Sequence, residues 1–305
     1  MENIFKIESI SMLHDIMKVS PPKHPLISVI DLSKLNNVNQ AAEYSGLNVA
    51  SSFYVITLKH LKSGSIQYGR KHIDFQEGSL FFSLPEQVSK IQNPVLEECK
   101  YNWGLYFHTD LIRGTFLFNK IAEYSFFRYT TNEALHLSDN EKVSLYEIIN
   151  SIKTEIERPI DKHTKNVLVS AIEFLLNHCN RFYDRQFITR ENQNKTVVGT
   201  INSFLSAYFA SSNLEVKGLP TALQCAEQVN LSPNYLSDLL RKETGKTTQE
   251  HIHYYVLEIA KDRLIGSDNS IKEIAHSLGF EHSHYFSTLF KKKVGVSPSE
   301  FRNLN

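Results

Sequence analysis

Two stretches of this chain, fifty residues apart, are written in nearly the same letters. Tyr235-Leu-Ser-Asp-Leu-Leu-Arg-Lys-Glu-Thr-Gly245 and Tyr285-Phe-Ser-Thr-Leu-Phe-Lys-Lys-Lys-Val-Gly295 share Tyr, Ser, Leu, a basic pair and Gly in register. Upstream, Ala226 and Val229 match Ala275 and Leu278 at a spacing of 49, so the second copy has one extra residue around Gly279-Phe280-Glu281. A repeat with its own loop variation is one supersecondary unit used twice. Each copy reads as two short helices around a tight turn. Small Ala226 or Ala275 lets the helices approach, and Leu231 or Phe280 plugs the angle between them.

Local signals around the repeat are helical throughout. Apolar spacing and caps predict helices over Val197 to Ala210, Pro220 to Val229, Ser232 to Glu243, Thr248 to Ile265, Ile271 to Leu278, Ser283 to Lys293, and a short one from Pro298. Thr247 with Glu250, Ser270 with Glu273, and Ser297 with Glu300 have capping-box spacing, in which side chains satisfy the free N–H groups of a helix start. Pro233 and Pro298 occupy the first helical position, where a missing N–H costs nothing, and Gly245 and Gly295 stand where helices end in a left-handed residue.

Two helices joined by a tight turn form a helix-turn-helix, whose second helix enters the DNA major groove with its N-terminal residues at the base edges. On the helix from Ser232, Leu236, Leu239 and Leu240 form the expected buried stripe, leaving Asn234, Ser237, Asp238 and Arg241 outward. On its twin, Phe286, Leu289 and Phe290 are the buried set, and Ser283, His284, Ser287, Thr288 and Lys291 face out. These are the candidate base readers. Asn can pair bidentately with adenine, Asp can accept from a cytosine amino group, and Ser or Thr can serve either partner or meet a thymine methyl. Lys242, Lys292 and Lys293 are the candidate contacts to the DNA backbone. The helix from Thr248 to Ile265 is about 27 Å long at ~1.5 Å per residue. It could hold two reading helices about one DNA turn apart.

The same residues carry a family resemblance. Ala260-Lys-Asp-Arg-Leu-Ile, Ser270-Ile-Lys-Glu-Ile-Ala-His-Ser-Leu-Gly-Phe, Tyr285-Phe-Ser-Thr-Leu-Phe-Lys-Lys and Gly295-Val-Ser-Pro-Ser-Glu-Phe-Arg302 resemble the signature of the AraC/XylS regulators over residues 197–305. The resemblance implies that both second helices are offered to DNA. It also implies that Arg263 and the Pro298 segment are structural or backbone-contacting parts. Family members often have large Trp, Gln or Arg at the reading positions. Here Asn234, Ser237 and Thr288 stand there, so no operator sequence transfers.

The rest of the chain has a different character. Roughly its first 130 residues read as short strands: Ile27 to Ile30, Phe53 to Leu58, Ser65 to Phe75, Ser79 to Leu84 and Trp103 to Phe107, with turn signals between them. Such spacing suggests a sandwich or small barrel. Gln76 to Pro85 and Trp103 to His108 resemble the cupin-type sensor domain common in the family. A capping box at Ser138 and Glu141 opens a helix to about Arg158, and a second starts at Asp161 with Leu168, Ala171, Ile172, Leu175, Leu176, Cys179 and Phe182 at helical spacing. The pair either packs on its own barrel or forms a dimer interface. The expected organisation is multidomain: residues 1–188 an all-β cupin-like sensor and dimerisation domain including helices 138–183, residues 189–196 a polar linker, and residues 197–305 an all-α domain of two helix-turn-helix units joined by a long helix.

Composition narrows the classes. Lys and Arg number 33 against 33 Asp and Glu, so the net charge is zero and any DNA-binding face must be local. No run of about 18 apolar residues occurs, and Glu2 and Glu8 oppose a signal peptide, so the expectation is a cytoplasmic chain with no membrane association. Cys99, Cys179 and Cys225 are too scattered for a disulfide framework or metal knuckle. A cupin metalloenzyme would need a His cluster, but His24, His60, His72 and His108 lie on separate segments, and His251 and His253 share a helix at a spacing that faces them apart. Neither cofactor nor catalytic group is expected. The aromatic strand residues Tyr54, Tyr68, Phe81 and Tyr106, with His60, read equally as pocket lining or core. The resemblance implies a homodimer that binds double-stranded DNA, answers to a small-molecule effector and recruits RNA polymerase, with activation the usual sign. An N-terminal domain that only dimerises is the alternative.

Overall fold

The computed structural model describes residues 4–35, 47–60, 78–90, 101–130, 133–211, 214 and 217–304. The expected strand Ser65 to Phe75, with Tyr68 and His72, and the Cys99 thiol lie outside them. The chain divides into two compact units, residues 1–189 and 190–305.

Strands of the first unit are β1 (Ile4–Ile7), β2 (Ile27–Asp31), β3 (Asn48–Ser51), β4 (Phe53–Lys59), β5 (Ser79–Ser83), β6 (Ser89–Lys90), β7 (Trp103–His108) and β8 (Leu135–His136). They form a five-stranded antiparallel sheet in the order β2-β7-β4-β5-β8 and a smaller one in the order β1-β3-β6, where β1 and β3 run parallel. Alternation along β4 buries both faces of the larger sheet. Phe53, with Tyr106 from β7, joins Ile7, Ile10, Leu13 and Val49 on one side. On the other, Tyr54 stacks on Phe107 at 5.1 Å, and Phe82 meets Phe126 at 4.4 Å and Phe127 at 5.4 Å. Among the described residues the two sheets stay separate and close no barrel.

Strands do not fill the first 130 residues, contrary to the expectation. Ile10–Met17 is a helix, α1, started by Ser9, whose side chain accepts from the Met12 N–H, and ended by Lys18 in the left-handed region. Ile10, Leu13 and His14 are its buried positions, a spacing of three and four that suits a helix. Two more short helices, α2 (Thr109–Ile112) and α3 (Phe116–Lys120), and 3-10 turns through Arg128 follow β7. Their dense aromatic residues hide any periodicity. Helix α4 (Asp139–Glu157) begins with the expected capping box of Ser138 and Glu141. Helix α5 (Thr164–Thr189) follows, with the Asp161 carboxylate accepting from the N–H groups of His163 and Thr164. Arg185 of α5 grips Glu141 of α4 through two bonds of 2.9 Å.

The second unit is helical. It comprises α6 (Glu191–Ala210), α7 (Ala222–Glu227), α8 (Pro233–Thr244), α9 (Thr248–Gly266), α10 (Ile271–Ser277), α11 (Ser283–Val294) and α12 (Pro298–Leu304). The stretch expected as a linker, 189–196, is therefore helix from Glu191 onward, with only Arg190 between α5 and α6. Its polar residues serve the helix: Lys195 pairs with Glu191 one turn earlier at 2.6 Å, and buried Asn194 donates to Glu243 of α8 at 2.8 Å. One core, with Leu205, Leu236, Leu240, Val256, Ala260, Phe286 and Phe290 fully buried, holds all of these helices.

Candidate DNA interface

The two copies of the repeat fold alike, down to single hydrogen bonds. In the first, α7 turns into α8 through Asn230, at φ +54°, and the Leu231 N–H donates to the Ala226 carbonyl at 3.1 Å. In the second, α10 turns into α11 through Gly279, at φ +83°, and the Phe280 N–H donates to the Ala275 carbonyl at 3.0 Å. Ala226 and Ala275 have no exposed surface. Leu231 and Phe280 pack against the core, and Phe280 lies 5.4 Å from Phe286. Glu281 is the extra residue of the second turn. Ser232 caps α8 by accepting from the Tyr235 N–H, whereas its counterpart His282 gives α11 no side-chain cap.

The correspondence runs past the second helix. Gly245 and Gly295 end α8 and α11 in the left-handed region. Thr247 and Ser297 then start α9 and α12, and Glu250 and Glu300 return a carboxylate to the cap backbone at 3.1 and 2.7 Å. Each unit is thus a helix, a turn, a second helix and the capped start of a third. The bonded Thr247 backbone and the Lys293 ammonium pull the Glu250 carboxyl down to about 2. Arg302 of α12 donates to the carbonyls of Leu264 and Asn269, at 3.0 and 2.7 Å, and closes the end of α9. Arg263 donates to the Ser277 hydroxyl and ties α9 to α10. Both arginines are structural ties.

On α8, Leu236, Leu239 and Leu240 are buried. Asn234, Ser237 and Asp238 are half-buried, and Arg241 and Lys242 are exposed. On α11, Phe286 and Phe290 are fully buried and Leu289 is half-buried. Ser283 and Ser287 are half-exposed, and His284, Thr288, Lys291 and Lys292 are exposed. Each candidate set therefore shares the side of its helix away from the core. Three members make ion pairs that the sequence reading missed. Asp238 pairs with Arg241 one turn on, at 3.3 Å. That i, i+3 spacing is a signal visible in sequence. Lys293 reaches Glu250 at 3.1 Å, across 43 residues, a contact that only the tertiary fold creates. Lys293, expected at the DNA backbone, pairs here with the carboxylate at the start of α9. Tyr285 was also missed: it is 66% exposed, although its twin Tyr235 is 3% exposed.

The paired histidines of α9 separate as their spacing requires. His251 is buried and bonds the Thr244 hydroxyl at 2.8 Å, while His253 bonds Gln249 at 2.9 Å. Burial, helped by Lys246 for one and Lys293 for the other, lowers the pKa of both rings. Among the described residues no group of three or more His, Cys, Asp or Glu is placed to hold a metal ion. Burial raises the Cys225 thiol to about 11 and pushes Cys179 up as well, so neither is a ready nucleophile. No helix among the described residues is long and apolar enough to cross a membrane.

Two turns of identical construction, each followed by a helix with a buried stripe and a polar outer side, define a double helix-turn-helix protein. Comparison with known proteins places it more closely. Residues 225–304 match the family described as "Helix-turn-helix domain". The chain is 32% identical over 145 residues to YijO of Escherichia coli K12, an uncharacterized HTH-type transcriptional regulator, covering 48% of this chain and 47% of that one. It is 40% identical over 77 residues to the HTH-type transcriptional activator RhaS of Salmonella arizonae, covering 25% and 28%. Over 260 residues it is 24% identical to RafR of Pediococcus pentosaceus, the raffinose operon transcriptional regulatory protein, covering 85% and 87%. It spans less than half the length of YijO and of two further curated relatives, at 47%, 10% and 20%. Over residues 225–304 the C-terminal unit is a helix-turn-helix domain, similar in sequence to those of the HTH-type regulators it matches.

Proposed function

We propose that the chain is a sequence-specific DNA-binding transcription regulator whose C-terminal unit reads two adjacent major grooves. The doubled turn, with its matching Leu231 to Ala226 and Phe280 to Ala275 bonds, carries the reading. A helix-turn-helix made twice on one core offers two second helices to DNA. Asn234, Ser237, Asp238 and Arg241 meet base edges in one groove, and Ser283, His284, Ser287, Thr288 and Lys291 in the next, with Lys242 and Lys292 at the phosphate walls. The N-terminal unit acts as a cupin-like sensor, forms the homodimer and responds to a small-molecule effector that changes polymerase recruitment, with activation as the sign. The family resemblance and the alignment to RafR, which runs through this unit, support that part. Selection of genomic DNA fragments by the purified full chain tests the proposal. It predicts enrichment of fragments with two half-sites about one helical turn apart, altered when a metabolite library is added. Recovery of no preferred sequence would reject DNA reading, and enrichment indifferent to every metabolite would leave a unit that only dimerises.

A further inference from the structure

Position 285 breaks the symmetry of the repeat. Tyr235 and Tyr285 occupy the same place, the third residue of each second helix, yet one is core and the other is surface. Their neighbours differ. Helix α6 packs along α8, and its Asn194 reaches Glu243 there. Helix α11 packs on α10 and α12, and the side bearing Tyr285 has no cover of that kind among the described residues. At 100° per residue, Tyr285 and Lys292 fall on one line along α11. That line borders the stripe of His284, Thr288 and Lys291. The aromatic ring lies near the imidazoles of His282, at 5.8 Å, and His284, at 6.3 Å, and the exposed Lys291 and Lys292 follow about two turns along the same helix. An exposed tyrosine on the first turn of a helix whose last turn carries exposed lysines, continuous with the polar side of that helix, matches a surface that is anionic at its walls and apolar at its sugars and methyl groups. That is the major groove.

We propose that Tyr285 is a further DNA-contacting residue of the second unit, its ring in apolar contact with the groove beside the His284–Thr288–Lys291 stripe. The proposal rests on the DNA-reading function above. The first unit has no equivalent, because Tyr235 is spent in its core, so the two units read unequally.

The test uses the full chain and the fragment it selects. Tyr285→Ala should weaken binding about tenfold, roughly 1.4 kcal/mol. Its melting temperature and its slope of affinity against salt should match the parent's, because an exposed neutral ring supports no core and neutralises no phosphate. Tyr285→Phe should bind like the parent. Replacing thymine by uracil in the second half-site identifies the surface: weaker parental binding points to a thymine methyl, and unchanged binding points to deoxyribose. Binding of Tyr285→Ala within twofold of the parent overturns the proposal, as does a loss accompanied by a lower melting temperature or a shallower salt slope. If the parent selects no fragment, the DNA-reading function itself has failed, which is a separate result.

Discussion

Replacing Gly279 by alanine separates two reasons for a glycine that usually come together. Gly245, Gly279 and Gly295 all have left-handed φ, at +76°, +83° and +94°. A Cβ added at Gly245 or Gly295 would meet nothing within 4 Å. One added at Gly279 would lie 2.8 Å from the Gly218 Cα, 2.9 Å from the Gly218 carbonyl carbon and 2.9 Å from the Leu214 oxygen. Those atoms are backbone, and the Gly218 carbonyl is itself held by the Tyr208 hydroxyl at 2.9 Å. They cannot move aside as a side-chain tip would.

The left-handed region costs an L-residue about 1–2 kcal/mol. Loss of glycine freedom in the unfolded chain returns about 0.4–1 kcal/mol. Gly245→Ala and Gly295→Ala should therefore destabilise by about 0.5–1.5 kcal/mol. Gly279→Ala carries the same terms plus the cost of overpacking, about 1–3 kcal/mol, for a total of about 1.5–4.5. Urea unfolding followed by far-UV circular dichroism measures all three. Trp103, the chain's single tryptophan, lies in the N-terminal unit, so its fluorescence follows that unit separately. If Gly279→Ala falls within about 0.5 kcal/mol of the two controls, the contact between the second turn and the segment before the first unit is wrong.

Three further outcomes follow from the second unit. Phe290→Ala should cost about 3–5 kcal/mol in the same unfolding assay, because Phe290 has no exposed surface and packs against Phe286 and Phe301. Glu250→Gln should lower the melting temperature at neutral pH. The folded carboxyl sits at about 2, so its contribution is fully present above its unfolded value and fades as pH falls toward 2, where the variant and parent should converge. Asp238→Ala and Thr288→Ala should each relax base preference at one position, in separate half-sites, by about 1–3 kcal/mol in a fragment-binding comparison.

What was legible in sequence was local. Capping boxes at Thr247, Ser270 and Ser297, the glycine stops and the buried leucines of α8 follow from spacings of a few residues, and the structure keeps each of them. The repeat exposed the turn because both copies solve the same steric problem. Facts that depend on a distant partner were hidden. Asn194 read as linker because its bond to Glu243 spans 49 residues, and the pairing of Lys293 could not be read because Glu250 lies 43 residues away. Tyr235 and Tyr285 are the same letter, and only the fold makes one buried and the other exposed. In the N-terminal unit, the run after His108 mixes apolar and polar residues at irregular spacing, so neither a period of two nor one of 3.6 stands out.

Zero net charge taken by itself argues against DNA, and the distribution of acids within residues 190–305 resolves the conflict. Residues 190–305 hold thirteen Lys and Arg against twelve Asp and Glu. Glu250, Glu273 and Glu300 are used at helix starts, where they bond cap N–H groups and offset the helix dipole. Helix α11 carries three lysines and no acid, whereas α8 sets Asp238 and Glu243 against Arg241 and Lys242. The salt-dependent part of binding should therefore reside mainly in the second helix-turn-helix, and less in the first. A cation that neutralises one phosphate contributes about 0.9 to the slope of log affinity against log salt. Lys292→Ala should lower that slope by about 0.9. Arg241→Ala and Lys293→Ala should lower it less, because each must first leave an acid, Asp238 or Glu250, whose charge then faces the phosphate. Fluorescence anisotropy over a salt series, on the fragment each variant binds, measures the three slopes. If Arg241→Ala changes the slope most, the first unit holds the phosphates, and the division of labour between the two helices is the reverse of this one.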